Sequence, residues 1–325
     1  MMEIPMKSRD WLRLRALRER YLTDASEEYW TERDLELYDA TFAQRIAWKW
    51  DAVLSDLSVL GWKPRAQRLF DWGCGTGIAA RTVAPWSGLR SAEVFDQSRF
   101  AMTFAVNALR RENIEARARP ASPTVEPGTL LLLSHVVGEL SDEELVSLAE
   151  MAATAEELIW VEPGSREISR RLGSVRQILQ KSGHQFAGPC THQNACPMFE
   201  PENERHWCHF FGKSPTEIFQ SAFWRRFSEE VEIDLRGLPY SFLASSRLQA
   251  SPVPAGAERL IARPVELKAH SRLLCCGSDG LKDRMFQKRT APDLYRRIAK
   301  KDLNGAFIWK LDAAGQITGG GNLAD

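Results

Sequence analysis

No apolar run in these 325 residues reaches the eighteen or more that cross a bilayer; the longest, "TLLLLSHVV", has the length of a strand. A membrane span is therefore not expected. Cysteine is scarce, with six residues, and they are bunched rather than spread. That excludes a disulfide framework and favours ligand thiols in a reducing compartment. Charge of one sign is not in excess: 43 Lys and Arg meet 43 Asp and Glu. Any nucleic-acid contact must then rest on local patches. Internal repeats and low-complexity tracts are missing too. The arginine-rich opening "MMEIPMKSRDWLRLRALRERYL" is interrupted by Glu3, Asp10 and Glu19, with no serine-rich stretch or secretory core behind it. It reads as an amphipathic helix, and a bacterial cytoplasm is the expected compartment, with a mitochondrial matrix as the alternative.

What is present has a clear order. Residues 1–62 carry Trp, Leu and Tyr at three- and four-residue spacing and read as helices that stop at Gly61. From Arg68 short apolar strands ("RLFDWG", "SAEVFDQ", "TLLLLSHV", "ELIWVEP") alternate with helical segments. This alternation predicts an α/β fold with a parallel, doubly wound, Rossmann-like sheet over residues 63–250. "EVEIDLRGLPYSFLASSRL" is expected to form a two-strand hairpin on one sheet edge. After the linker "SPVPAGAE", residues 251–325 predict a small β-rich, basic domain, turning at Gly277–Gly280 and carrying a helix in "PDLYRRIAKK".

"LFDWGCGTGIAAR" sets Asp71 at a strand end, then Gly73, Gly75 and Gly77, then a helix. Alternating glycines allow a sharp turn and a close backbone approach, and the helix start offers free amides. Asp96, ending the next strand, stands where a carboxylate can accept both hydroxyls of a ribose. A nicotinamide fingerprint would space its glycines as Gly-x-Gly-x-x-Gly. The acid-led Asp-x-Gly-x-Gly-x-Gly found here resembles motif I of the class I S-adenosylmethionine-dependent methyltransferases, and "VFDQS" resembles their second motif. The resemblance implies that Asp71 and the glycines hold the methionine end of S-adenosylmethionine and Asp96 its ribose. Downstream, "LLLLSHVVGELSD" lacks the Asn-Pro-Pro-Tyr signature of amino-group methylases. His135 and Glu139 are the candidate substrate-side groups, and no catalytic residue is assigned.

Residues 184–212 form a cysteine-rich insertion after a basic helix, with Cys190, Cys196 and Cys208 in one polar loop. Thiolates crowded there suit a soft metal, either zinc or an iron-sulfur cluster. A fourth ligand has to come from elsewhere: Cys275 or Cys276, or, for zinc, His192, His206 or His209.

Taken in order, "VEPGSREISRRLGSVRQIL", "GPCTHQNACPM", "HWCHF", "LPYSFLASSR", "ARPVELKAHSRLLCCGSDG" and "QKRTAPDLYRRIAKKD" resemble the methyltransferase-like small-ribosomal-subunit assembly factors of mitochondria and bacteria. The likeness spans residues 63–305. It implies a class I methyltransferase fold and a 4Fe-4S cluster held by Cys190, Cys196, Cys208 and Cys276, with zinc as the alternative. It also implies a partner in the small ribosomal subunit and its rRNA, no membrane association, and a chain monomeric off the ribosome. Two departures stand out: "FEPENERHW" widens the spacing before the third cysteine, and the late motif reads "LNGAFIW". For RNA contact the sequence offers the basic segment 281–301 and Arg166, Arg170, Arg171, Arg176 and Lys181 on the helix after Gly164.

Overall fold

A computed structural model of the chain describes residues 4–23, 30–119, 124–299 and 305–323. Three helices open it: α1 (Ser8–Thr23), α2 (Glu32–Ala40) and α3 (Phe42–Val59). A capping box at Thr31 starts α2, its side chain and that of Asp34 each satisfying the other's backbone N–H. Then come β1 (Arg68–Trp72), α4 (Ile78–Ser87), β2 (Ser91–Phe95), α5 (Arg99–Arg111), β3 (Glu115–Ala118), β4 (Thr129–Ser134), α6 (Asp142–Ala152), β5 (Glu157–Pro163) and α7 (Arg166–Lys181). These strands pair in the order β3-β2-β1-β4-β5, all parallel. That is the predicted doubly wound α/β sheet.

The apolar run "TLLLL" follows from this topology, because a central parallel strand is covered on both faces. Leu130 and Leu132 face α3, α4 and α5 through one core, while Leu131 and Leu133 meet α6 and α7 in a second.

The chain continues through β6 (Gln185–Gly188), β7 (Phe210–Gly212), α8 (Ala222–Glu230) and β8 (Leu238–Ser246). Strand β8 runs antiparallel to β5, with β6 and β7 both on its other side. The expected hairpin within 230–248 does not form. Only its second half is a strand; Val231 and Leu235 instead bury themselves with α1 and α8, and Glu232 takes a left-handed backbone that ends the helix.

A second sheet comprises β9 (Glu258–Leu260), β10 (Val265–Glu266), β11 (His270–Gly277), β12 (Gly280–Gln287), β13 (Ala306–Leu311) and β14 (Ile317–Asn322), with α9 (Pro292–Ala299) after β12. Strand β9 pairs with both β13 and β11, so the sheet closes on itself around Leu273, Cys275, Phe286 and Phe307. The predicted turn joins β11 to β12, and the predicted helix is α9. Lys300, Lys301, Leu303 and Asn304 lie outside the described residues, and with them part of the expected basic patch and of the "LNGAFIW" motif.

Candidate cofactor loop and cysteine site

In a doubly wound sheet the ligand crevice opens beyond the carboxyl ends of the strands, where the strand order reverses, here between β1 and β4. The glycine loop lies at that point. Gly73, Gly75 and Gly77 all adopt left-handed backbone, with φ of 68°, 51° and 76°. Their surroundings differ. A Cβ on Gly73 would stand 2.7 Å from Val136 Cγ1 and one on Gly77 3.0 Å from Ala105 Cβ, while one on Gly75 would meet nothing within 4 Å. Gly73 and Gly77 thus serve packing, and Gly75 lies against open space.

Both predicted acids brace this loop. Asp71 is fully buried and accepts a hydrogen bond from Ala80 N at 3.1 Å, tying β1 to the first turn of α4. Its other oxygen has no partner among the described residues. Burial, helped by repulsion from Asp96, pushes the Asp71 carboxyl up to about 7. Asp96 accepts from Gly75 N at 2.8 Å and from Ser98 N at 2.9 Å, and burial raises it too. A carboxylate has about four lone-pair sites. Asp96 therefore keeps acceptor capacity beyond the two amides.

Directly across the crevice, β4 ends in Ser134, with His135 following it. His135 has a left-handed backbone, φ 59°, uncommon for a residue with a side chain. Its Nε2 lies 2.9 Å from Lys49 Nζ of α3, and Ser134 Oγ accepts from Trp50 Nε1 at 3.0 Å. Behind them, fully buried Glu162 accepts through Oε1 from Trp160 Nε1 (2.7 Å), Val136 N (3.0 Å) and Val137 N (3.2 Å), leaving Oε2 without a partner among the described residues. Burial drives Glu162 up to about 7 and Lys49 down to about 7, and holds the His135 imidazole well below its usual value. Glu139, the other candidate, is an exposed residue of the following turn. The sequence reading missed Lys49. The available signal was a lysine between two buried tryptophans in "AWKWD".

Cys190, Cys196, Cys208 and Cys276 line a single cavity, although they come from the β6–β7 connection and from β11. Alternation along β11 separates the adjacent pair: Cys275 is buried in the core of the second sheet, and Cys276 faces the cavity. His192 Nε2 stands 3.7 Å from Cys276 Sγ. His206 and His209 are not among the cavity's lining residues. Burial, with mutual repulsion among the thiolates, pushes Cys208 and Cys276 well above the ordinary thiol range and Cys196 up to about 11. Among the described residues, no group of three or more His, Cys, Asp or Glu side chains could hold a metal ion as it stands.

Two buried arginines complete the wall. Arg176 Nε donates to Cys190 Sγ at 3.0 Å, and its Nη2 donates to Asn194 O at 2.9 Å. Arg259 of β9 pairs with Asp56 of α3 at 2.6 Å, both side chains 3% exposed. Its Nε and Nη2 are buried without a partner among the described residues. Two unmet guanidinium nitrogens thus stand in the wall of the cavity that the four thiols line. Sequence gave no sign of Arg259, which sits in an ordinary strand, "AERLI".

The arginines of the basic helix α7 donate to backbone carbonyls of neighbouring loops. Arg166 donates to Glu204 O, Arg170 to Met198 O, and Arg171 to Val137 O and Leu140 O. Arg176 lies at the cavity, while Arg166 and Lys181 are exposed. In the segment 281–301, Arg284 is paired with Glu258 and Arg296 with Asp293.

Known structures with a similar fold are distant. The methyltransferase domain of bacterial CtHen1-C is 11% identical (63% of this chain, 98% of that chain, TM-score 0.39). The plantazolicin methyltransferase BamL is 10% identical (75% and 100%, TM-score 0.42). A SAM-dependent methyltransferase of Leishmania major is 13% identical (72% and 83%, TM-score 0.40). No curated protein matches the chain. The sequence model of one family, described as mitochondrial small ribosomal subunit Rsm22, matches residues 40–307, and the chain belongs to that family.

Proposed function

We propose that this chain is a methyltransferase-like protein of the small ribosomal subunit that binds S-adenosylmethionine and a 4Fe-4S cluster and contacts rRNA during assembly or translation. The observation that carries the reading is the single cavity lined by Cys190, Cys196, Cys208 and Cys276 with Arg176 and Arg259. Four thiolates facing one space repel each other and need positive charge between them. Iron supplies most of it, and the two guanidiniums offset the residual negative charge of the loaded site. The cluster would act as a structural staple, joining the β6–β7 connection to β11 and so fixing the second sheet against the first.

Zinc is the competing occupant, favoured by His192 beside Cys276. One zinc at about 2.3 Å from each sulfur requires the sulfurs to lie about 3.8 Å apart.

The cofactor is assigned to Gly73, Gly75, Gly77, Asp71 and Asp96, with Gly75 in open space and Asp96 retaining acceptor capacity. The family description points to a mitochondrial small subunit, which supports the matrix alternative for the compartment. No helix among the described residues is long and apolar enough to cross a membrane. Off the ribosome we take the chain to be monomeric.

Iron, sulfide and zinc analysis of protein purified without oxygen tests the metal reading. About four irons and four sulfides per chain, lost in Cys276→Ser but kept in Cys275→Ser, is the expected result. Zinc alone in the native protein would overturn the cluster.

A further inference from the structure

The polar group at the end of β4 has features a purely structural network does not need. Lys49 and His135 are only half-buried, although the neighbouring Trp50 and Glu162 are fully buried. His135 is held in a left-handed backbone, a cost that tends to persist where function requires it. Its neighbour Val136 packs within 2.7 Å of where a Gly73 Cβ would sit, which places the pair at the cofactor loop itself. Lys49 also lies near a second cation, Arg45, whose Nη1 donates to Asp234 O at 3.4 Å. Burial and the Arg45 charge favour the uncharged form of the Lys49 amine, against a smaller opposing pull from Glu162.

We propose that Lys49 is the catalytic base of a methyl transfer, with His135 as its positioning residue, and that the acceptor is an rRNA nucleoside whose N–H or O–H must lose a proton. The proposal rests on the cofactor reading above. In the step, a Lys49 N–H donates to His135 Nε2, which aims the free lone pair of the amine into the crevice. That lone pair takes the acceptor's proton. The freed pair on the acceptor nitrogen or oxygen forms the bond to the methyl carbon, and the carbon–sulfur bond of S-adenosylmethionine breaks with its electrons moving to sulfur. The products are methylated nucleoside, S-adenosylhomocysteine and a Lys49 ammonium, which returns its proton to water. An acceptor of this kind also explains why the Asn-Pro-Pro-Tyr signature is absent: that motif orients an amino group, whereas a lactam N–H or a hydroxyl needs a base.

The test uses the full-length, metal-replete chain, S-adenosylmethionine with a tritiated methyl group, and small ribosomal subunits isolated from cells lacking this protein. Cofactor affinity is measured by calorimetry, and methyl transfer in single turnover with nucleoside analysis of the product. Lys49→Met removes the base; His135→Asn removes the imidazole with a residue that tolerates left-handed backbone. The expected result is transfer by the native chain, at least a 100-fold lower rate in Lys49→Met, and a rate loss in His135→Asn, with cofactor affinity within twofold in both. Nucleoside analysis then separates a base N-methyl from a ribose O-methyl product. A native chain that binds the cofactor but transfers nothing would overturn the proposal and leave the cofactor reading standing, as would full-rate transfer by Lys49→Met. A native chain that does not bind the cofactor would overturn the reading beneath it. Should Lys49→Met not fold, the rate of His135→Asn decides: an undiminished rate overturns the proposal.

Discussion

Gly73 and Gly75 share a left-handed backbone and differ in what surrounds them, so they should fail differently when substituted. An alanine at Gly75 pays the left-handed penalty of about 1–2 kcal/mol and places its methyl in open space. Folding should survive, but the methyl would occupy room the cofactor needs. We expect Gly75→Ala to retain cooperative unfolding and to bind S-adenosylmethionine at least about tenfold more weakly, a loss near 1.4 kcal/mol. Gly73→Ala adds a contact 2.7 Å from Val136 Cγ1, which brings about 1–3 kcal/mol of overpacking on top of the backbone term. It should lower the melting temperature more than Gly75→Ala does. Equal melting temperatures would mean that Val136 makes room for the added methyl, and unchanged cofactor affinity in Gly75→Ala would remove the loop from the binding site.

Among the elements, α3 links the two halves of the molecule, since Asp56 on it holds Arg259 of β9. Removing one partner from such a buried pair costs about 3–5 kcal/mol, because the other charge is left stranded. Asp56→Ala should therefore destabilise by that order in urea unfolding, and Asp56→Leu with Arg259→Met should recover most of the loss. A double variant as unstable as the single would mean that Arg259 matters through the cavity rather than through Asp56. How legible these elements were in the sequence follows from which signals are local. The parallel strands, the glycine loop and α7 each carry their own periodicity or caps, and all were readable. The hairpin around 231–246 was misread because Val231 and Leu235 are apolar for a different reason, the α1–α8 core. The four cysteines of the cavity and the two acids of the glycine loop were named from sequence, but their neighbours were not. Arg176 was taken for a surface cation, and Arg259 and Lys49 acquire meaning only from residues up to 203 positions away.

At the scale of the whole molecule, two buried carboxyls and a half-buried lysine around one crevice should leave a mark on stability. Asp71 and Glu162 are held up to about 7, whereas in an unfolded chain they ionise near 3.9 and 4.3. Between roughly pH 4.5 and 7 these two carboxyls keep protons in the folded protein that they release in the unfolded chain, so their contribution to stability falls as pH rises through that window. Lys49 is held down to about 7 against about 10.4 when unfolded. Above pH 7 it binds its proton more tightly in the unfolded chain, and its own contribution climbs. Asp10 and Asp234, both lowered to about 2, act only below about pH 4 and leave the window undisturbed. Five histidines lowered by burial, His135, His184, His192, His206 and His209, oppose the carboxyls below about pH 6.5, and the raised thiols act above about pH 8.5, so the carboxyl contribution is read as a difference between variants. Glu162→Gln, which keeps an oxygen for Val136 N, Val137 N and Trp160 Nε1, removes one carboxyl, and its stability in urea should gain on that of the native chain between pH 5.5 and 7 by on the order of 1–2 kcal/mol. A difference that stays constant across that range would mean that Glu162 is charged in the folded protein and that the crevice is wetter than its packing implies.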